Sequence, residues 1–113
     1  VAAMAPGTNI GSAHPVDGSG GDIGGDMRDK VENFAATLSK TIAQHRGRNV
    51  EWAEKAVRES VSATEQEALQ LGVIDVIAAD LPELLAKVDG REVAIGREKV
   101  KLAVAGAAVV PLE

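Results

Sequence analysis

The sequence predicts an α/β fold, on three observations. Val1-Ala2-Ala3-Met4-Ala5 is a wholly apolar run closed by the turn dipeptide Pro6-Gly7. Such a run suits a strand buried on both faces, as in a parallel sheet covered by helices. Val73-Ile74-Asp75-Val76-Ile77 is β-branched and reads as another strand. Between the two lie segments whose apolar residues recur at three- and four-residue spacing, the period of amphipathic helices. A length of 113 residues makes one domain or part of one. Hydrophobic residues are 45% of the chain but aromatics only 2%, so the core must be built from Ala, Val, Leu and Ile, with Phe34 and Trp52 the only large rings.

Taken in order, Thr8–Ala13 is a second short extended piece, ended by Pro15. Asp17–Gly25 holds five glycines and one apolar side chain and reads as a flexible loop. The first long helix is expected from about Asp26 or Asp29 to Arg46, with Gly47 just beyond as its stop. Val31, Phe34, Ala35, Leu38 and Ile42 form its apolar stripe, taken as the face that packs. Lys30 precedes Phe34 by one helical step, so its stem is expected to leave beside that buried stripe and to be partly buried itself. Asn49 caps a second helix, Val50–Ser60, with Trp52, Ala53, Ala56 and Val57 inward. Thr64-Glu65-Gln66-Glu67 is a capping box that opens a short helix ended by Gly72. Asp80, with Pro82 just inside, caps a last helix reaching about Val88. Beyond Asp89-Gly90 the period changes to two. Glu92–Ile95 and Val100–Val104 read as strands joined around Gly96-Arg97, and Ala107–Pro111 as a third. Residues 1–88 therefore form the main unit, with a loop at 17–29, and 89–113 a β appendage.

Composition excludes several function classes. A net charge of -5 argues against nucleic acid, which demands clustered Lys and Arg. Without cysteine there is neither a disulfide framework nor a thiolate metal site. His14 and His45 lack the spacing of a helical zinc pair, so no metal or cofactor is expected. Gly18-Ser19-Gly20-Gly21 is followed by no Gly-Lys-Ser/Thr and is no nucleotide loop. Ser12, His14 and Asp17 make a triad on paper only, because no strand–turn–helix elbow exposes a nucleophile. No apolar run approaches the ~18–20 residues that span a bilayer. Lys30 is the sharper candidate. It stands where a glycine loop meets a helix, at the end of the macrodipole that disfavours a cation. Read plainly it is a surface lysine; the alternative is a desolvated lysine acting as a general base.

A family resemblance adds to this. Ala3-Met4-Ala5-Pro6-Gly7-Thr8-Asn9-Ile10-Gly11-Ser12-Ala13-His14-Pro15-Val16 resembles the segment that follows the nucleophile in the NfeD family of ClpP-class, membrane-bound serine proteases, related to signal peptide peptidase. Lys30-Val31-Glu32-Asn33-Phe34, Arg46–Ala53, Ala56–Ser62 and Glu67–Asp75 resemble the same family, in order, across positions 1–90. The resemblance implies a ClpP/crotonase-like fold lacking its N-terminal part, with the β appendage similar to the linker before the family's membrane segments. It implies a Ser–Lys dyad with Lys30 as the base, and Thr8, Asn9, Ile10 and Gly11 on the substrate-facing strand. The family's Ser-Ala-Gly-type nucleophile motif and oxyanion glycines would fall before Val1, so Ser12 and Ser19 are not the nucleophile. The implied enzyme is a serine endopeptidase acting outside the cytoplasm on hydrophobic peptide or membrane-protein segments. It would be membrane-associated through segments absent from this chain and homo-oligomeric, and the chain by itself is expected to be inactive. The alternative is a non-catalytic scaffold or oligomerisation module of the same fold. A crotonase-type acyl-CoA enzyme stands last, since it predicts neither Lys30 nor the Arg46–Trp52 stretch.

Overall fold

The computed structural model describes residues 1–16 and 24–112. Among these residues six short strands and four helices follow one another: β1 (Ala3–Met4), β2 (Asn9–Gly11), α1 (Gly25–His45), α2 (Val50–Arg58), β3 (Ser62–Thr64), α3 (Glu65–Gln70), β4 (Val76–Ile77), α4 (Leu81–Val88), β5 (Glu92–Ile95) and β6 (Glu98–Lys101). β1 pairs with β4 in parallel, Ala3 opposite Val76 and Met4 opposite Ile77, as the two apolar runs predict, but β1 is not buried on both faces as expected: Ala3 is exposed and Met4 half-buried, because among the described residues β4 is its single strand neighbour. β2 pairs antiparallel with β3, and β5 with β6 in a hairpin.

Each short helix starts at a side-chain cap. Asn49 accepts from the Trp52 N–H at 2.9 Å and donates to the Leu71 carbonyl at 2.8 Å, joining the starts of α2 and the end of α3. Thr64 and Glu67 close the expected capping box on α3, and Asp80 accepts from the Glu83 N–H at 2.9 Å on α4. The core is small: Ala63, Ala68 and Ile74 are buried, and Ala2, Met4, Trp52, Val73 and Ile77 pack against them. α1 lies outside this core. It turns back at Gly47 and runs antiparallel to α2, joined by Lys40–Glu54 at 3.6 Å near the middle and Arg58–Glu32 at 3.6 Å near its start.

Several expectations are corrected. α1 begins at Gly25, so residues 25–29 of the expected loop are helical; positions 17–23 lie outside the described residues. The face of α1 that meets α2 is Ala36 and Ala43, both buried, with Ser39 donating to the Ala53 carbonyl at 3.1 Å. The expected inner stripe instead leaves Phe34 71% exposed, Leu38 50% and Ile42 54%. Alanines allow the two helices to approach closely, and that contact outcompetes the larger side chains. Phe34 therefore contributes nothing to the core, and Lys30 beside it is exposed rather than partly buried. Ser62–Thr64 is a strand, which its composition does not advertise. The strand expected at 73–77 is reduced to Val76–Ile77, because Val73 and Ile74 turn back to donate to the Ala68 carbonyl. In the tail the second strand is Glu98–Lys101, not Val100–Val104, and no strand forms at 107–111.

Candidate functional site

The segment after β1 is stitched down at several points. The Gly7 N–H donates to Glu65 Oε1 at 3.0 Å and holds that carboxyl below its ordinary range. Thr8 is exposed, its hydroxyl donating to the Ala5 carbonyl. Asn9, Ile10 and Gly11 pair with Thr64, Ala63 and Ser62. Gly11 is required there: its φ is +127°, and a Cβ would lie 2.3 Å from the Val61 carbonyl oxygen. Among the described residues the other edge of β2 is unpaired. An unpaired edge offers N–H and C=O groups to an extended peptide.

Beyond Gly11 the backbone is strained. Ser12 and Ser60 both hold positive φ, 54° and 52°. The Ser12 hydroxyl sits 2.6 Å from Ser62 Oγ and donates to the Ser60 carbonyl at 3.2 Å. The Ala13 N–H donates to the Ala56 carbonyl at 2.8 Å, and His14 Nδ1 lies 2.9 Å from the Val57 carbonyl. Ser12 and His14 are thus each engaged elsewhere, and Asp17 lies outside the described residues; the paper triad has no geometric support.

Lys30 stands in the second turn of α1, exposed, on a helix whose next turn is tied to α2. Arg58 donates to Asn33 Oδ1 at 2.9 Å and pairs with Glu32. The last turn of α2 therefore receives the Ala13 backbone N–H at Ala56, the His14 ring at Val57 and the Lys30 helix at Arg58. That shared anchor is what the fold contributes to a site. The candidates Thr8–Gly11 form one strand segment, while Lys30 belongs to a different element that approaches the same end of α2. Among the described residues no cluster of His, Asp and Glu is spaced to hold a metal ion.

Asp75 is a node that the sequence did not single out. Arg48 donates to both its carboxylate oxygens, at 2.7 and 2.9 Å, and the Ala2 N–H donates to it at 2.8 Å. Arg91, at the start of the appendage, lies 3.5 Å away. The Arg48 fork, then the Ala2 N–H and the two positive charges, hold the Asp75 pKa down at about 2 against the cost of partial burial. One carboxylate so links β1, the α1–α2 turn and the tail, beside a hollow of about 230 Å³. No motif spacing marks this pair; only the fold brings positions 48 and 75 together.

No protein-family model matches the chain. Over 96 residues it is 41% identical to the membrane-bound protease PH1510 of Pyrococcus horikoshii, a match covering 82% of this chain and 21% of that protein. Among solved structures it resembles the 1510-N membrane-bound stomatin-specific protease, as a lysine-to-alanine mutant in complex with a substrate peptide, with a TM-score of 0.79 and 36% identity. That match covers 90% of this chain and 48% of the other. A serine-to-alanine mutant of 1510-N matches with a TM-score of 0.74 at 35% identity, over 90% of this chain and 51% of that one. The chain thus spans about a fifth of the curated relative and about half of the solved domains. In sequence and in ClpP-like fold, the chain belongs to the NfeD-type membrane-bound proteases, as a homologue of PH1510.

Proposed function

We propose that this chain is the base-bearing, substrate-facing part of a serine endopeptidase that uses a Ser–Lys dyad. The observation that carries the reading is the likeness, at a TM-score of 0.79, to a protease domain solved with a substrate peptide. Lys30 takes the proton from a serine hydroxyl supplied by residues before Val1. The serine oxygen then attacks the scissile carbonyl carbon, and the oxyanion is held by backbone amides of that same upstream part. The ammonium returns the proton to the leaving amine, and water, deprotonated in turn by Lys30, hydrolyses the acyl-enzyme. Thr8, Asn9, Ile10 and Gly11 hold the substrate in extended form; the free edge of β2 suits that task. Substrates are hydrophobic peptide or membrane-protein segments, cleaved outside the cytoplasm by a homo-oligomeric enzyme tethered through membrane segments beyond this chain. No described helix is long and apolar enough to cross a membrane. On this reading the 113-residue chain alone has no peptidase activity.

The test uses the protein extended upstream to include the nucleophile. Lys30→Ala should abolish peptidolysis while circular dichroism and melting stay unchanged, and Lys30→Arg should not rescue it, since a guanidinium does not give up its proton at working pH. Retained activity in Lys30→Ala would remove Lys30 from the mechanism. The exposure of Lys30 favours one alternative, a non-catalytic scaffold of the same fold; an extended protein that never cleaves peptide would establish it.

A further inference from the structure

We propose that the hollow between the end of α1 and the β5–β6 hairpin binds a phosphate group, through Arg46, Arg48 and Arg91. These three arginines come from three places in the fold: the close of α1, the turn to α2, and the residue before β5. They converge on one carboxylate, Asp75, which Arg48 grips with two hydrogen bonds and Arg91 approaches at 3.5 Å. Asp75 also accepts from the Ala2 N–H, so it leaves most of the guanidinium donors open. Among the described residues Arg46 is exposed and pairs with no carboxylate. Glu92, the other acid at the hollow, is taken up by Lys99 at 3.8 Å.

Charge decides the ligand class. Arg46, Arg48, Arg91 and Lys99 face only Asp75 and Glu92, an excess of two positive charges on a chain whose net charge is -5. A phosphate monoester, with a charge of about -1.5 to -2 at pH 7, offsets that excess, whereas a carboxylate offsets half of it. Guanidinium forks also match the paired oxygens of a phosphate. A hollow of about 230 Å³ has room for the five heavy atoms of the group, since a water takes up ~30 Å³. His45 adds a ring donor at the rim.

One effect opposes binding: the C-terminal end of a helix repels an anion. Here the carbonyls of Ile42, Ala43 and Gln44 accept from the N–H groups of Arg46, Arg48 and Gly47, which blunts the repulsion. A phosphate in the hollow would bridge Arg46 and Arg91 and so fasten the hairpin to the α1–α2 turn, which predicts a more stable fold. Lys30 stands at the opposite end of α1, ~24 Å along the helix. The inference takes nothing from the protease reading.

Calorimetric titration of the 113-residue chain with inorganic phosphate, at pH 7 and constant ionic strength, should give one site with a dissociation constant on the order of 1 mM or tighter. At about ten times that concentration the melting temperature should rise by several degrees, and chloride at equal ionic strength should not raise it. Arg46→Gln removes an exposed side chain without an ion pair, so it should leave phosphate-free melting unchanged and weaken binding at least ~10-fold. Lys55→Gln makes the same charge change on the exposed side of α2 and should move binding less than ~2-fold. Co-sedimentation with phosphatidic acid vesicles, lost in Arg46→Gln, would identify a lipid headgroup as the source. Binding of inorganic phosphate without vesicle binding would identify a soluble one. Absence of heat and of any melting shift up to ~20 mM phosphate overturns the proposal, well above the affinity expected. So does acetate binding as tightly as phosphate, or equal losses in Arg46→Gln and Lys55→Gln. Val1 also lines the hollow, so loss of binding in the upstream-extended protein, where that residue has no free amino group, overturns it too. None of these readouts uses activity, so failure here and failure of the protease reading are distinguishable.

Discussion

Replacing Asp75 by Asn should destabilise the fold in a pH-dependent way. In the folded chain the carboxylate has a pKa of about 2, because Arg48 and the Ala2 N–H hold its charged form. An unfolded Asp titrates near ~3.9, and each unit of difference corresponds to about 1.4 kcal/mol. The full gap sets a ceiling of about 2.5 kcal/mol. Arg48 and Asp75 retain 23% and 22% of their side-chain exposure and Arg91 retains 38%, so solvent screening brings the expected loss to about 1–2 kcal/mol at pH 7. The sign follows from the depressed value: the stabilisation is complete above the unfolded pKa and is lost as pH falls through the folded one. Urea unfolding of wild type and Asp75→Asn at pH 7, 4 and 2.5 measures it. The gap between the two proteins should be widest at pH 7, narrower at pH 4 and small at pH 2.5. Other carboxylates, Glu54, Glu65, Glu83 and Asp89, are also held low and titrate in both proteins, so the difference isolates Asp75. A gap of the same size at every pH would refute the ionic account, and a gap below about 0.3 kcal/mol at pH 7 would mean that the pair contributes no stability.

Two further substitutions probe the packing. Gly11→Ala should cost about 2–4 kcal/mol, because the new methyl meets the Val61 carbonyl and the residue keeps a positive φ; an unchanged melting temperature would show that β2 and β3 are not tightly apposed. Ala36→Leu, at a position with no exposure on the α1–α2 contact, should cost about 1–3 kcal/mol by overpacking, and a stabilised variant in chemical denaturation would place that face of α1 in solvent.

Local chemistry made much of the molecule legible before folding is considered. The caps at Asn49, Thr64 and Asp80 involve residues at most three apart, so they are readable from neighbours alone, and the helices they begin are where the residues say. The two apolar runs that opened the reading do pair in parallel. The family, too, was legible, carried by separate stretches over positions 1–90. The candidate site was legible only through that resemblance: nothing in the spacing around Lys30 separates a base from a surface lysine.

Other features were decided by tertiary structure because they depend on partners far away in sequence. Ser62–Thr64 is a strand only because Asn9–Gly11 lies beside it, and Asp75 acquires its depressed pKa only where Arg48 and Ala2 converge. α1 shows the limit most clearly. By itself the sequence determined a long helix with apolar side chains on two faces, one of alanines and one of large residues. Which face goes inward is a matter of how closely α2 approaches, and close approach selects the alanines. That choice put Phe34 in solvent, and Lys30 with it.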